Sequence, residues 1–188
     1  MFKKVIPFVL GLVLFGCSHT PSPVPLPHDL VFKGDGWELT TPPVFSKMED
    51  PDLVLALENR DARVRVMLAK DEFAQDIDTF TFGVLSMLQS SGQHTLLAIK
   101  VKPIGQFDSS YVEILTPHGV RVFEWLLTTG THAYILGCGG PDASYSDVLV
   151  LCRSVEKTWK ITESKVSANP TDPTPPTPKP SIIPLINE

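Results

Sequence analysis

The chain of 188 residues has no excess of positive charge: sixteen Lys and Arg stand against twenty-one Asp and Glu, a net charge of −5. That balance sets nucleic acid aside as a main partner, because neutralising a phosphate backbone needs a cationic surface. No apolar run reaches the ~20 residues that a helix needs to cross a hydrocarbon core. The run from Val5 to Gly16 has only twelve. Catalytic motifs are scarce as well. Gly139-Gly140 lacks the Lys-Ser/Thr pair of a P-loop and reads as turn chemistry. His94, His118 and His132 have no ligand spacing with another His or Cys, which argues against structural zinc. Cys138 precedes a helix as a nucleophile elbow would, but Leu136 stands where that motif needs glycine. The expectation is a protein that is not an enzyme and carries no cofactor and no metal.

Proline, in contrast, is abundant, at eighteen residues. That is roughly twice the usual share, and strands and helices could not absorb it. The excess is concentrated at the two ends of the chain. Four prolines lie between His19 and His28, and seven between Glu163 and Glu188. These segments, 18–29 and 163–188, lack apolar periodicity and should be extended and polyproline-like. The first is a semi-rigid stalk of up to about 37 Å at ~3.1 Å per residue. The second carries one apolar knot, Ser181-Ile-Ile-Pro-Leu-Ile186. That knot is either a docking motif or a segment that folds back on the domain.

Residues 1–17 read as an address. Lys3 and Lys4 precede the apolar run, which ends in Leu14-Phe15-Gly16-Cys17. A charged n-region and short h-region mark a secretory signal. The last four residues resemble the lipobox of bacterial lipoproteins. The resemblance implies that Cys17 becomes the lipid-bearing N-terminus, with multiple acyl chains giving the stable anchoring that one chain cannot. Ser18 after the cysteine is compatible with the periplasmic face of the outer membrane in a Gram-negative host. Removal of Lys3 and Lys4 leaves the mature chain still more acidic.

Between the tails, residues 30–162 read as one domain. Leu53, Leu55 and Leu57 alternate along one stretch and Val64, Val66 and Leu68 along the next, with a hairpin turn at Asn59-Arg60-Asp61. Leu97, Ile99 and Val101 repeat the pattern. Three further strands follow at 111–116, 120–129 and 132–137, with connections short enough for hairpins. A helix capped by Asp76 or Asp78 runs to Ser91 and stops at Gly92. A second begins at Ser144-Tyr-Ser-Asp147, which has capping-box spacing, and keeps an apolar stripe to Trp159. The prediction is an α+β fold, a mostly antiparallel sheet flanked by helices.

Gly36-Trp-Glu-Leu39 with Pro42-Pro43, the paired strands after Asp52, and the hairpin from Phe123 to Cys138 running into a helix are similar to the PsbP-like superfamily. That superfamily includes DcrB-like bacterial lipoproteins. The resemblance implies an α/β/α sandwich and a role in binding or assembly; it assigns no site residue.

With Cys17 lipidated, Cys138 and Cys152 remain as an even pair in an oxidising compartment. A helix folding back over its preceding strand would join them in a disulfide; otherwise they are two buried thiols. The acidic groups at Glu49-Asp50-Pro-Asp52 and around Asp71 to Asp78 read as a solvated turn and a helix N-terminus, with calcium as the alternative. The expected function is a lipid-anchored, non-catalytic binding or assembly module of the cell envelope. Its partner would be an envelope protein. The alternative is a periplasmic solute- or metal-binding lipoprotein.

Overall fold

Period-two alternation becomes the spine of a seven-stranded sheet. The computed structural model describes residues 28–164 except 74 and 93. The expected leader with Cys17, residues 18–27 of the expected stalk and residues 165–188 lie outside the described residues. In chain order the elements are β1 (Leu30–Gly34), β2 (Trp37–Thr41), β3 (Ser46–Met48), β4 (Leu55–Asn59), β5 (Val64–Glu72) and α1 (Ile77–Ser91). There follow β6 (Thr95–Val101), β7 (Ser109–Leu115), β8 (Val120–Thr128), β9 (His132–Pro141), α2 (Tyr145–Thr158) and β10 (Lys160–Ile161).

The large sheet has the order β3-β4-β5-β9-β8-β7-β6, and every pairing in it is antiparallel. A small sheet, β1-β2-β10, lies with α2 on one face. There Leu57, Val66, Leu68, Phe123, Trp125 and Leu136 pack against Leu39, Val148 and Val155. The opposite face is covered by α1, whose Val84 packs on Val112, Ile114, Leu126 and Ile135. This is the expected α+β arrangement, with the central strands apolar on both faces because both are covered.

The first helix behaves as its sequence predicts. Asp76 Oδ1 accepts from the Thr79 amide at 2.9 Å, and Gly92 ends the helix at φ 61°. The second differs. Ser144 makes no side-chain cap bond, because a single 3-10 turn over Asp142–Ser144 leads into the helix and Asp142 O takes the Tyr145 amide. Helix entry is therefore backbone-capped.

Two other expectations are corrected. Leu97, Ile99 and Val101 do not form a buried face. The register shifts between Leu96 and Ala98, and β6 is the sheet edge, so all three are exposed. Gly139-Gly140 is not a turn but lies inside β9. A Cβ at Gly139 would sit 2.8 Å from Arg121 O, and one at Gly140 would sit 2.9 Å from Val148 Cγ2 and 3.1 Å from Arg63 O. These are positions of close backbone approach, which only glycine allows.

Candidate functional site: an arginine-rimmed cleft

Three chain segments meet at the end of the sheet where those glycines lie. The first is the β4–β5 connection, in which Asn59 Oδ1 accepts from the Ala62 amide at 3.1 Å. Arg63 follows at φ 53°, a left-handed conformation that costs a non-glycine residue about 1 kcal/mol or more. The second is the β7–β8 turn, where Thr116 Oγ1 accepts from Val120 N at 3.2 Å and Gly119 takes φ 73°. The third is the end of β9. Between them opens a cleft of about 570 Å³, rimmed by Arg60, Arg63, Arg65 and His118 with Gly139 and Gly140 among its lining residues.

The electrostatics of the rim are uneven. Arg60 Nε is 2.5 Å from Glu58 Oε1, so its charge is met. Arg121, nearby on β8, is held between Glu113 at 2.8 Å and Asp142 at 2.6 Å and stacks over Tyr145 at 4.2 Å. Arg63 and Arg65 have no ion pair or hydrogen bond from their side chains among the described residues. Two planar guanidinium groups with free donors beside a floor of small residues can take a carboxylate or phosphate in paired hydrogen bonds. His118 is exposed in its turn, as expected.

At the other end of the sheet, Glu163 ties the last strand to the core. Its Oε1 accepts from the Tyr134 hydroxyl at 2.5 Å and pairs with Lys70 Nζ at 2.9 Å. Its Oε2 accepts from Thr129 Oγ1 at 3.0 Å and lies 3.0 Å from His132 Nδ1. Burial raises this carboxyl, but the hydrogen bonds from Tyr134, Lys70, His132 and Thr129 outweigh it and hold it at about 2. Every charge here is matched, so this cluster is a clamp. Glu163, the first residue of the expected tail, is thus bound into the domain.

Cys138 and Cys152 form a disulfide with Cα atoms 5.5 Å apart. Cys138 lies within β9 and Cys152 on the buried stripe of α2, and the bond leaves Cys138 without the thiol a nucleophile needs. Cys17 lies outside the described residues. Of the acids, Asp76 caps α1 and Asp50 Oδ1 accepts from the Asp52 amide at 3.0 Å. Among the described residues, no group of three or more His, Cys, Asp and Glu could hold a metal ion, and no helix is long and apolar enough to cross a membrane.

Sequence reasoning passed over the arginines, although Arg60-Asp-Ala-Arg-Val-Arg65 places three within six residues. It also passed over Glu124, an acid inside the apolar run Phe123 to Leu127. That side chain is buried, with Oε2 lacking a hydrogen-bond partner among the described residues, and burial pushes its carboxyl up to about 7.

The fold places the protein in a class: an α+β domain of antiparallel sheets and two helices with a PsbP-like fold. The solution structure of the cyanobacterial PsbP protein CyanoP from Synechocystis sp. PCC 6803 superposes with a TM-score of 0.55 at 10% identity, covering 71% of this chain and 91% of that one. A crystal structure from Bacteroides thetaiotaomicron VPI-5482 gives a TM-score of 0.46 at 14% identity, covering 72% of this chain and 48% of that one. No protein-family model matches the chain, and no curated protein matches it.

Proposed function

We propose that this chain is a lipid-anchored, non-catalytic binding module of the bacterial cell envelope, held at the membrane through Cys17. Its cleft recognises an acidic group on an envelope protein. The observation that carries the reading is the pair Arg63 and Arg65, both unmatched among the described residues at the cleft rim of a chain that is acidic overall. Tethering adds to it: a domain confined to a membrane surface meets a partner at high effective concentration, so a modest cleft is sufficient. The lipobox-like Leu14 to Cys17 and the proline stalk supply the tether and the stand-off.

Metabolic labelling with an alkyne fatty acid tests the anchor. Label on the wild type that disappears in Cys17→Ser supports it, and an unlabelled wild type contradicts it. The cleft is tested by charge reversal. Arg63→Glu with Arg65→Glu should abolish cross-linking to the partner while leaving the fold intact.

A second reading follows from the cleft's size. About 570 Å³ lies within the 300–1,000 Å³ range of small-molecule sites, so an anionic solute is the alternative occupant. Isothermal titration against dicarboxylates and phosphate esters separates the two.

A further inference from the structure

Cross-strand partners share a face of the sheet, so Glu58, Arg65 and Gly139 form a row on the α1 side, and all three line the cleft. The next row inward, about 7 Å along the strands, runs Ala56, Met67, Gly137 and Glu124. Gly137 leaves a gap in it. Among the described residues a Cβ added there would meet only Met67, whose Cε is 3.7 Å away. Met67, half-buried and flexible, stands on one side of the gap, and Glu124, 6% exposed, on the other. Oε2 of Glu124 has no hydrogen-bond partner among the described residues, although buried polar groups are ordinarily paired. The elements packed around it bring no counter-charge into contact. On this face β7 presents Ser110, Val112 and Ile114, and β9 presents apolar residues and glycine. α1 has no basic residue, and its one acid, Asp78, sits in the first turn. β5 contributes Arg65 one row outward and Asp71 two rows further in, while Glu58 is taken by Arg60.

We propose that the group this cleft receives is zwitterionic, with its anionic end on Arg63 and Arg65 and an alkylammonium end on Glu124. The inference rests on the arginine-cleft reading and names its ligand class. An anion alone would use the outer row and leave the inner carboxyl unpaired, at the cost that any buried orphan acceptor carries. A short chain with both charges passes over Gly139 and Gly137, the two places in its path without a side chain, and satisfies both rows. Arg65 and Glu124 are two strand spacings and two residues apart, about 12 Å between Cα atoms. They form no ion pair with each other, which leaves room for a bridging ligand. On a protein partner the matching feature is an acidic group beside a lysine side chain. Burial holds the Glu124 carboxyl at about 7, so it is protonated below neutrality in the free protein. An ammonium against that carboxyl favours the ionised form, and the proton leaves to solvent.

Isothermal titration of the full chain in detergent micelles at about pH 6 tests this, with 6-aminohexanoate and hexanoate as probes in two buffers of different ionisation enthalpy. The amino acid should bind at least about tenfold more tightly than hexanoate, as a charge-assisted hydrogen bond to a desolvated carboxyl requires. It should also release close to one proton per ligand, and hexanoate none. In Glu124→Gln, which keeps the side chain's size, the two affinities should converge and the proton release should vanish. Equal affinity of the two probes for the wild type, lost in Arg63→Glu/Arg65→Glu, overturns the proposal and leaves the arginine cleft standing. A preference for the amino acid that survives in Glu124→Gln overturns it as well, because another group then holds the ammonium. Failure of both probes to bind also overturns it, while the cleft keeps its separate test in cross-linking.

Discussion

The Tyr134 hydroxyl donates to Glu163 Oε1 at 2.5 Å, so a residue near the start of β9 holds one that follows the final strand. Lys70 from β5 joins them at 2.9 Å. Gly36 packs against the pair with φ 82°, where any Cβ would strike both Glu163 and the Tyr134 hydroxyl. The clamp therefore closes the chain at a point where the small and large sheets meet.

The Glu163 carboxyl has a folded pKa of about 2 against an ordinary 4.5. The unfolded state binds more protons between those values, so stability is full above about pH 4.5 and is lost as pH falls toward 2. The shift corresponds to about 3 kcal/mol. Glu163→Gln should lower urea-unfolding stability at pH 7 by about 2–3 kcal/mol and flatten the acid limb. Parallel acid limbs in the two proteins would contradict this.

Glu124 has the opposite sign. Burial raises its folded pKa to about 7 from 4.5, so the folded state holds the proton longer and stability falls as pH rises from about 4.5 to 7. Glu124→Gln removes that loss. Thermal melts should show the variant gaining on wild type by about 2–3 kcal/mol at pH 8 and little at pH 4.5. A gain that does not change with pH would count against burial of the charge as the cause.

Cys138 and Cys152 are 14 residues apart in sequence. Closing a loop of that size restricts the unfolded chain by about 3 kcal/mol in the chain-entropy model. Cys138→Ala/Cys152→Ala should lower the denaturant midpoint accordingly, and wild type under strong reductant should approach it. Unchanged midpoints would show that packing of α2 on β9 suffices.

Arg63 holds a left-handed backbone that glycine adopts without strain. Arg63→Gly should raise stability by a few tenths to about 1 kcal/mol while weakening partner binding. That separation of effects is what a binding role predicts; a purely structural side chain would lose stability instead.

The strands with alternating Leu and Val were legible because the large sheet is buried on a regular period of two. Strand β6 was not, because Leu97, Ile99 and Val101 show the same alternation, and only the register shift and edge position expose them. The disulfide was legible as a possibility from the two cysteines on a strand and a facing helix stripe. Gly139 and Gly140 were misread because the sequence carries no trace of the Val148 side chain or Arg63 carbonyl that crowd them. The candidate site was invisible for a related reason. Arg60, Arg63 and Arg65 resemble any solvated turn until Arg121 is seen to be neutralised while, among the described residues, Arg63 and Arg65 are not.

The most direct test of the binding module is in-cell photo-cross-linking from a benzophenone side chain placed at His118, on the rim of the cleft. A discrete adduct with an envelope protein should form in wild type, weaken with added salt, and disappear in Arg63→Glu/Arg65→Glu while thermal stability is kept. An adduct that persists unchanged in the charge-reversed protein, or no adduct from this position, would contradict recognition through the arginine cleft.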